Sequence, residues 1–289
     1  MGADFAQTVL DGLMVGGLYA AVAVGITLVL GIAGILNFAH GQMLMLGAYV
    51  AFFAVTAGIS FWAALVMAMV AMGLFGLVLE RLIFRRTLTD HMAGLTASLG
   101  VILVVENLAA AVFTPDPRTF DPPLTGSVHL LGVTVSAQRL LVLGLVIALV
   151  AAVYLFLQKT RYGKAIRAMG QNRTGAALVG VQITQVTAIV FVLGSALAGA
   201  AGVLYGSLFA ITPYMAAGPL MKGFIVTVLG GLGSVPGAVA AGILLGLAES
   251  FGSRYLSAEF RDGYGFILMI VALLAFPTGL FGIRGKARV

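Results

Sequence analysis

Six residues, Asn37-Phe38-Ala39-His40-Gly41-Gln42, interrupt a long apolar stretch near the start of this chain. They place two amides and an imidazole in sequence otherwise suited to lipid. Such groups donate and accept hydrogen bonds without a fixed charge. A break this short and glycine-flanked reads as a tight turn or half-helix junction at membrane depth. Irregular backbone there is tolerated only when buried in protein or lining a cavity. On the functional reading Asn37, His40 and Gln42 line a path or brace a gate. On the other reading the segment is an interfacial turn and Asn37 caps the next helix.

Glu106-Asn107 is the second polar intrusion, deep in another apolar run. A carboxylate at such depth is costly unless paired or protonated, so Glu106 either faces a translocation cavity or pairs with another helix. Glu80-Arg81 ends an apolar run and reads as an interfacial ion pair. Lys222 and Glu249 fall near an outer interface, where Lys222 can snorkel.

The third polar feature, residues 161–181 (RYGKAIRAMGQNRTGAALVGV), is basic and too polar to span a membrane. Small residues alternate with Arg and Lys, as expected for one or two short helices that fit a groove on another protein. The rival reading is attachment to anionic lipid.

Several chemistries are excluded. There is no phosphate-loop motif, so this chain is not expected to hydrolyse nucleotide itself, and there is no zinc-helix or nucleophile-elbow motif. With no cysteine, disulfides and thiolate metal sites are out. His40, His91 and His129 fall in different segments, which argues against a metal site. Acids within the apolar runs are too few for a proton relay. That argues against a pump or proton-coupled carrier, though not against sodium coupling through backbone carbonyls.

The elements that must hold these groups are membrane helices. Mean hydropathy is +1.11, 61% of residues are hydrophobic and 9% charged, where about 25% charged is usual for soluble domains. Apolar runs fall near 12–35, 42–58, 61–79, 93–113, 139–158, 183–205, 220–233, 236–251 and 263–281. The seventh and eighth are short, so the expectation is an all-α polytopic protein with eight to nine transmembrane helices, some short or broken.

Of 16 Lys and Arg, 11 lie in three clusters: Arg81/Arg85/Arg86, residues 159–173, and Arg284/Lys286/Arg288. All three face one side if the N-terminus is outside and the C-terminus cytoplasmic. The net charge of +6 is then a positive-inside signal rather than a nucleic-acid footprint. The acidic start and long first apolar run argue against a cleavable signal peptide. Residues 1–289 read as one transmembrane domain, with an outer loop at about 114–138 and a cytoplasmic segment at about 159–182. The outer loop is proline-rich and carries a candidate hairpin at 128–136. Glycines at 12/16, 242/246 and 195–202 (SALAGAAG) suit close helix packing. A short echo, VLGIAG at 29–34 and VLGGLG at 228–233, is too brief to establish a repeat.

Four segments in order resemble the permease subunits of ATP-driven importers for branched-chain amino acids, the H-type subunit in particular. They are residues 25–50 (GITLVLGIAGILNFAHGQMLMLGAYV), 80–86 (ERLIFRR), 161–181, and 231–250 (GLGSVPGAVAAGILLGLAES). The ending FPTGLFG at 276–282 is also similar. The resemblance implies a second, related permease subunit, two cytoplasmic ATPase subunits carrying ATP and magnesium, and a periplasmic or lipid-anchored binding protein. It implies no cofactor in this chain and a bacterial or archaeal inner membrane. Residues 161–181 would couple to the ATPase, with Gly163, Arg167, Asn172, Ala176 and Gly180 on the family's pattern beside Arg161 and Lys164. Asn37, Phe38, His40 and Gly41 fall on its first motif, and the expected pathway set is Asn37, Phe38, His40, Gln42, Glu106 and Asn107. Gln42 stands where the family pattern leads one to expect Glu, which puts a charge at that point in doubt. The alternatives are a urea or short-amide permease of the same class, or a stand-alone secondary carrier.

Overall fold

The computed structural model describes residues 2–87, 90–130 and 133–282. The basic cluster at 284–288 and the hairpin tip at 131–132 lie outside them. Helix α1 (Gly2–Leu28) runs into a π-helical turn, Val29–Ala33, followed by an irregular stretch to Ala39. Then come α2 (His40–Thr56), α3 (Phe61–Leu82), a short 3-10 turn at Phe84–Thr87, and α4 (His91–Phe113). An antiparallel hairpin, β1 (Ser127–Leu130) and β2 (Val133–Ser136), pairs Ser127 with Ser136. It leads into α5 (Ala137–Lys159), then short α6 (Arg161–Gln171) and α7 (Arg173–Leu178). The chain ends with α8 (Ile183–Gly206), α9 (Ala217–Gly230), α10 (Val235–Tyr255) and α11 (Arg261–Ala275).

Among the described residues, six helices are long and apolar enough to cross a membrane, and α2 and α9 are shorter apolar helices. All nine apolar runs are helical among the described residues, but their ends differ from the hydropathy reading. Helix α1 starts ten residues early because its acids are paired: Asp4 with Arg254, and Asp11 with Arg139 at 2.9 Å. Helix α10 is longer than its apolar run, whereas α9 is short, with 14 residues.

Helices α1 and α8 form the centre, with 78% and 72% of their apolar windows buried against 11% for α4. Backbone contact through glycine brings the centre together. A methyl group on Gly47 of α2 would meet Gly199 Cα of α8 at 2.6 Å, and one on Gly16 of α1 would meet Gly242 O of α10 at 2.6 Å. Such approach is how helices pack where lipid gives no hydrophobic drive. The two echoing segments lie against each other: Gly31 abuts the Gly233 backbone, and Thr27 Oγ1 donates to Thr227 Oγ1 at 3.3 Å. The hairpin buries Val133 and Val135 against Met14. The FPTGLFG end folds back, the Leu280 and Phe281 amides donating to Leu229 and Gly230 carbonyls at 2.8 and 3.1 Å.

Candidate functional site

The break after α1 sits inside the bundle. Gly34 takes φ 72° and ends the π-helical turn. The chain then doubles back, for the His40 ring lies against Gly25: a methyl group there would come within 2.7 Å of Cε1 and Nε2. Gly25 precedes Ala33 by eight residues, about 12 Å of helix, so α2 begins well inside the α1 end. Asn37 does not cap α2, because Ala39 occupies the cap position without a side-chain bond.

His40 is 1% exposed. Neither ring nitrogen meets a partner in hydrogen-bond geometry, although the Val22 backbone lies nearby. Asn37 Nδ2 and Oδ1 and Gln42 Oε1 are also buried without partners. Each such group costs about 1–3 kcal/mol, and a cluster of them calls for a reason. Asn37, Phe38 and His40 line a narrow pocket with Val29, Leu220 and Phe224. Its volume of about 10 Å³ holds one water at most. Phe38 and Phe224 close it, their ring centroids 5.7 Å apart.

Two further members of the expected pathway set meet. Gln42 Nε2 donates to Glu106 Oε2 at 3.3 Å, linking α2 to the peripheral α4. The half-buried Glu106 thus puts a carboxylate beside an amide on the motif. Asn107 does not join them: it is exposed, and its Nδ2 donates to the Leu103 carbonyl at 2.7 Å.

Residues 161–181 form two short helices, and their parts differ in task. The Thr160 hydroxyl caps α6 by accepting from the Gly163 amide at 2.9 Å. Gly163 has no room for a side chain beside the Phe156 and Leu157 carbonyls. Asn172 Oδ1 caps α7 by accepting from the Gly175 amide at 2.8 Å, Ala176 is buried, and Gly180 takes φ 86° at the exit. Arg167 turns back, donating to the Leu157 carbonyl and to Gln158 Oε1. These five residues shape the segment. Arg161 and Lys164 face outward with Tyr162, Leu178 and Val179. The inner face of α6 packs on the π-helical turn, where Gly170 lies beside Ile32.

Two readings of charged residues need correction. Glu80 is fully buried and binds Arg85 rather than Arg81, through Nε at 3.1 Å and Nη2 at 2.9 Å. The hydrogen bonds and charge of Glu80 raise the Arg85 pKa above its ordinary value. Lys222 does not snorkel. It is buried and ion-paired with the fully buried Glu249, and it meets Asp262 at 2.9 Å. Glu249 also accepts from Tyr19 at 2.8 Å and Arg261 at 3.4 Å. Sequence reading missed this five-residue cluster joining α1, α9, α10 and α11. The available signal was opposite charge on neighbouring apolar runs.

A glycine-packed bundle of long apolar helices with a polar break near its centre is the build of a multi-pass membrane protein. The family model for branched-chain amino acid transport system permease components matches residues 8–273, and this chain belongs to that family. It is 33% identical to the high-affinity branched-chain amino acid transport system permease protein LivH of Salmonella typhimurium, over 96% of each chain. It is 25% identical to LivM, a second permease protein of that system in the same organism, over 91% of this chain and 67% of the relative. Among solved structures, PsaBC from Streptococcus pneumoniae in complex with Fab matches with a TM-score of 0.51 and 10% identity. That match covers 94% of this chain and 92% of the other, and shows a shared fold alone.

Proposed function

We propose that this chain is a pathway-forming subunit of an ATP-driven importer for branched-chain amino acids in a bacterial or archaeal inner membrane. It crosses eight or nine times, with its N-terminus outside and its C-terminus in the cytoplasm. Its partners are a related permease subunit, two cytoplasmic ATPase subunits carrying ATP and magnesium, and a periplasmic or lipid-anchored binding protein. The chain itself needs no cofactor and performs no hydrolysis.

The observation that carries this reading is the full-length likeness to LivH. The geometry adds a route for coupling. Arg161, Lys164, Leu178 and Val179 present charge and apolar surface to a cytoplasmic partner. A push there reaches the π-helical turn through α6, and the turn leads directly to Asn37 and His40. π-Helical turns often mark functional positions. Opening would separate Phe38 from Phe224 and expose unpartnered amide and imidazole groups to the zwitterion. The apolar lining suits leucine, isoleucine and valine side chains.

The test is uptake of labelled leucine by native cells with and without this gene, with ATP maintained and the proton gradient collapsed. Gene-dependent uptake that persists supports an ATP-driven importer. Uptake that collapses with the gradient identifies a carrier. No gene dependence sends the substrate search to urea and short amides.

A further inference from the structure

The end of the bundle where α1 begins holds a cleft of about 350 Å³, within the ~300–1,000 Å³ of small-molecule sites. One wall is apolar: Met14, Val15 and Leu18 of α1 with Leu208 and Phe209 beyond α8. Asp11, on the same face of α1 one turn before Met14 and Val15, and Arg139, Arg254 and Arg261 add charged groups to the lining. Each guanidinium is matched by a carboxylate, Arg139 by Asp11, Arg254 by Asp4 and Arg261 by Glu249, so the cleft offers both signs of charge without a net excess.

The Arg139–Asp11 pair is of a different kind from the buried Lys222–Glu249 pair. Arg139 holds Asp11 at 2.9 Å, with side chains 52% and 34% exposed. Arg254 reaches Asp4, and Arg261 reaches Glu249 at a long 3.4 Å. The exposed Arg139–Asp11 and Arg254–Asp4 pairs are worth little, whereas the Glu249 end of the Arg261 pair is fully buried.

We infer that this cleft receives the free amino acid as a zwitterion with an apolar side chain, before it enters the pathway. The inference rests on the importer reading above. The substrate carboxylate takes the Arg139 guanidinium from Asp11, and the freed Asp11 takes the ammonium. One pair of charges becomes two pairs, while Arg254 stays with Asp4 and Arg261 with Glu249. The side chain lies on the Met14, Leu18 and Phe209 wall. A solute with one charge satisfies only half of the opened pair, so an amine or an acid alone binds less well.

The test is equilibrium binding of tritiated leucine to the assembled complex in lipid nanodiscs, without the binding protein. Saturable binding is expected, with isoamylamine and isocaproate competing poorly. Asp11→Asn and Arg139→Gln each weaken it by at least about tenfold, the loss expected for one charge-assisted hydrogen bond. The swap Asp11→Arg with Arg139→Asp keeps an ion pair for folding and still loses binding. No saturable binding to the wild-type complex, or wild-type affinity in all three variants, overturns the inference. Intact leucine binding with weakened capture of the binding protein also overturns it, and makes the cleft a docking surface. ATP-driven leucine uptake by the wild-type complex is measured alongside. Uptake with unaltered cleft variants removes this inference alone, whereas absence of leucine uptake removes the substrate class and this inference with it.

Discussion

Around Glu249, Lys222, Tyr19, Arg261 and Asp262 supply a partner for each buried charge. Around His40, five buried polar atoms of Asn37, His40 and Gln42 have none. Both regions belong to the same bundle and touch α1. The first is drawn from four helices and closes on itself. The second lies at a break in the helix path, where backbone is irregular and the neighbours are apolar. A satisfied cluster has settled its hydrogen bonds within the chain and holds helices together. An unsatisfied one carries a standing cost, which is understandable if its partners arrive with substrate or with a change of conformation.

That contrast breaks first at Lys222. Replacing it with Met leaves Glu249 buried and short of its closest counter-charge, and losing one member of a buried pair costs about 3–5 kcal/mol. Thermal unfolding of the purified complex should show a large loss, and Lys222→Met with Glu249→Leu should recover most of it. A single variant as stable as wild type would show that the cluster does not hold the helices.

A smaller loss is expected at the glycine seam. Gly202 abuts the Leu44 carbonyl with no space for a side chain. Gly202→Val should cost about 1–3 kcal/mol through overpacking, read as faster proteolysis of the folded subunit. Unchanged resistance would mean that α2 and α8 move apart easily.

Asn37→Leu sharpens the comparison by reversing the sign. It removes two unpartnered polar atoms, so folding stability should hold or rise, while leucine uptake falls. Reduced stability with normal uptake would make Asn37 structural. The mildest effect belongs to Lys164→Glu on the outward face of α6. Exposed positions usually change stability by less than about 0.5 kcal/mol, so unfolding should be unaltered while capture of the ATPase subunits weakens. Full capture and full transport would move the coupling contact elsewhere.

Much of the architecture is legible in the sequence because lipid imposes a simple rule on long apolar runs. The hairpin follows from β-branched residues around the turn, and the two short helices from the polar, small-residue stretch after Lys159. Helix ends were less legible. Hydropathy discards Asp4 and Asp11 from α1, yet Arg254 and Arg139 neutralise them from far along the chain. Glu80 shows the same limit at short range. Its neighbour Arg81 faces outward, while Arg85 on the following turn comes round to meet it. The Gln42–Glu106 bond spans 64 positions and Tyr19–Glu249 spans 230. Pairings of that kind are set by packing, which hydropathy and local spacing do not encode.

The most direct measurement is leucine uptake by proteoliposomes holding the whole complex, comparing wild type with His40→Ala at equal amounts of folded protein. The account predicts uptake reduced by about tenfold or more, the loss of roughly one hydrogen bond's worth of free energy or greater, with unfolding temperature little changed. Wild-type uptake in His40→Ala would contradict it, and would leave the break after α1 as a turn without a part in transport.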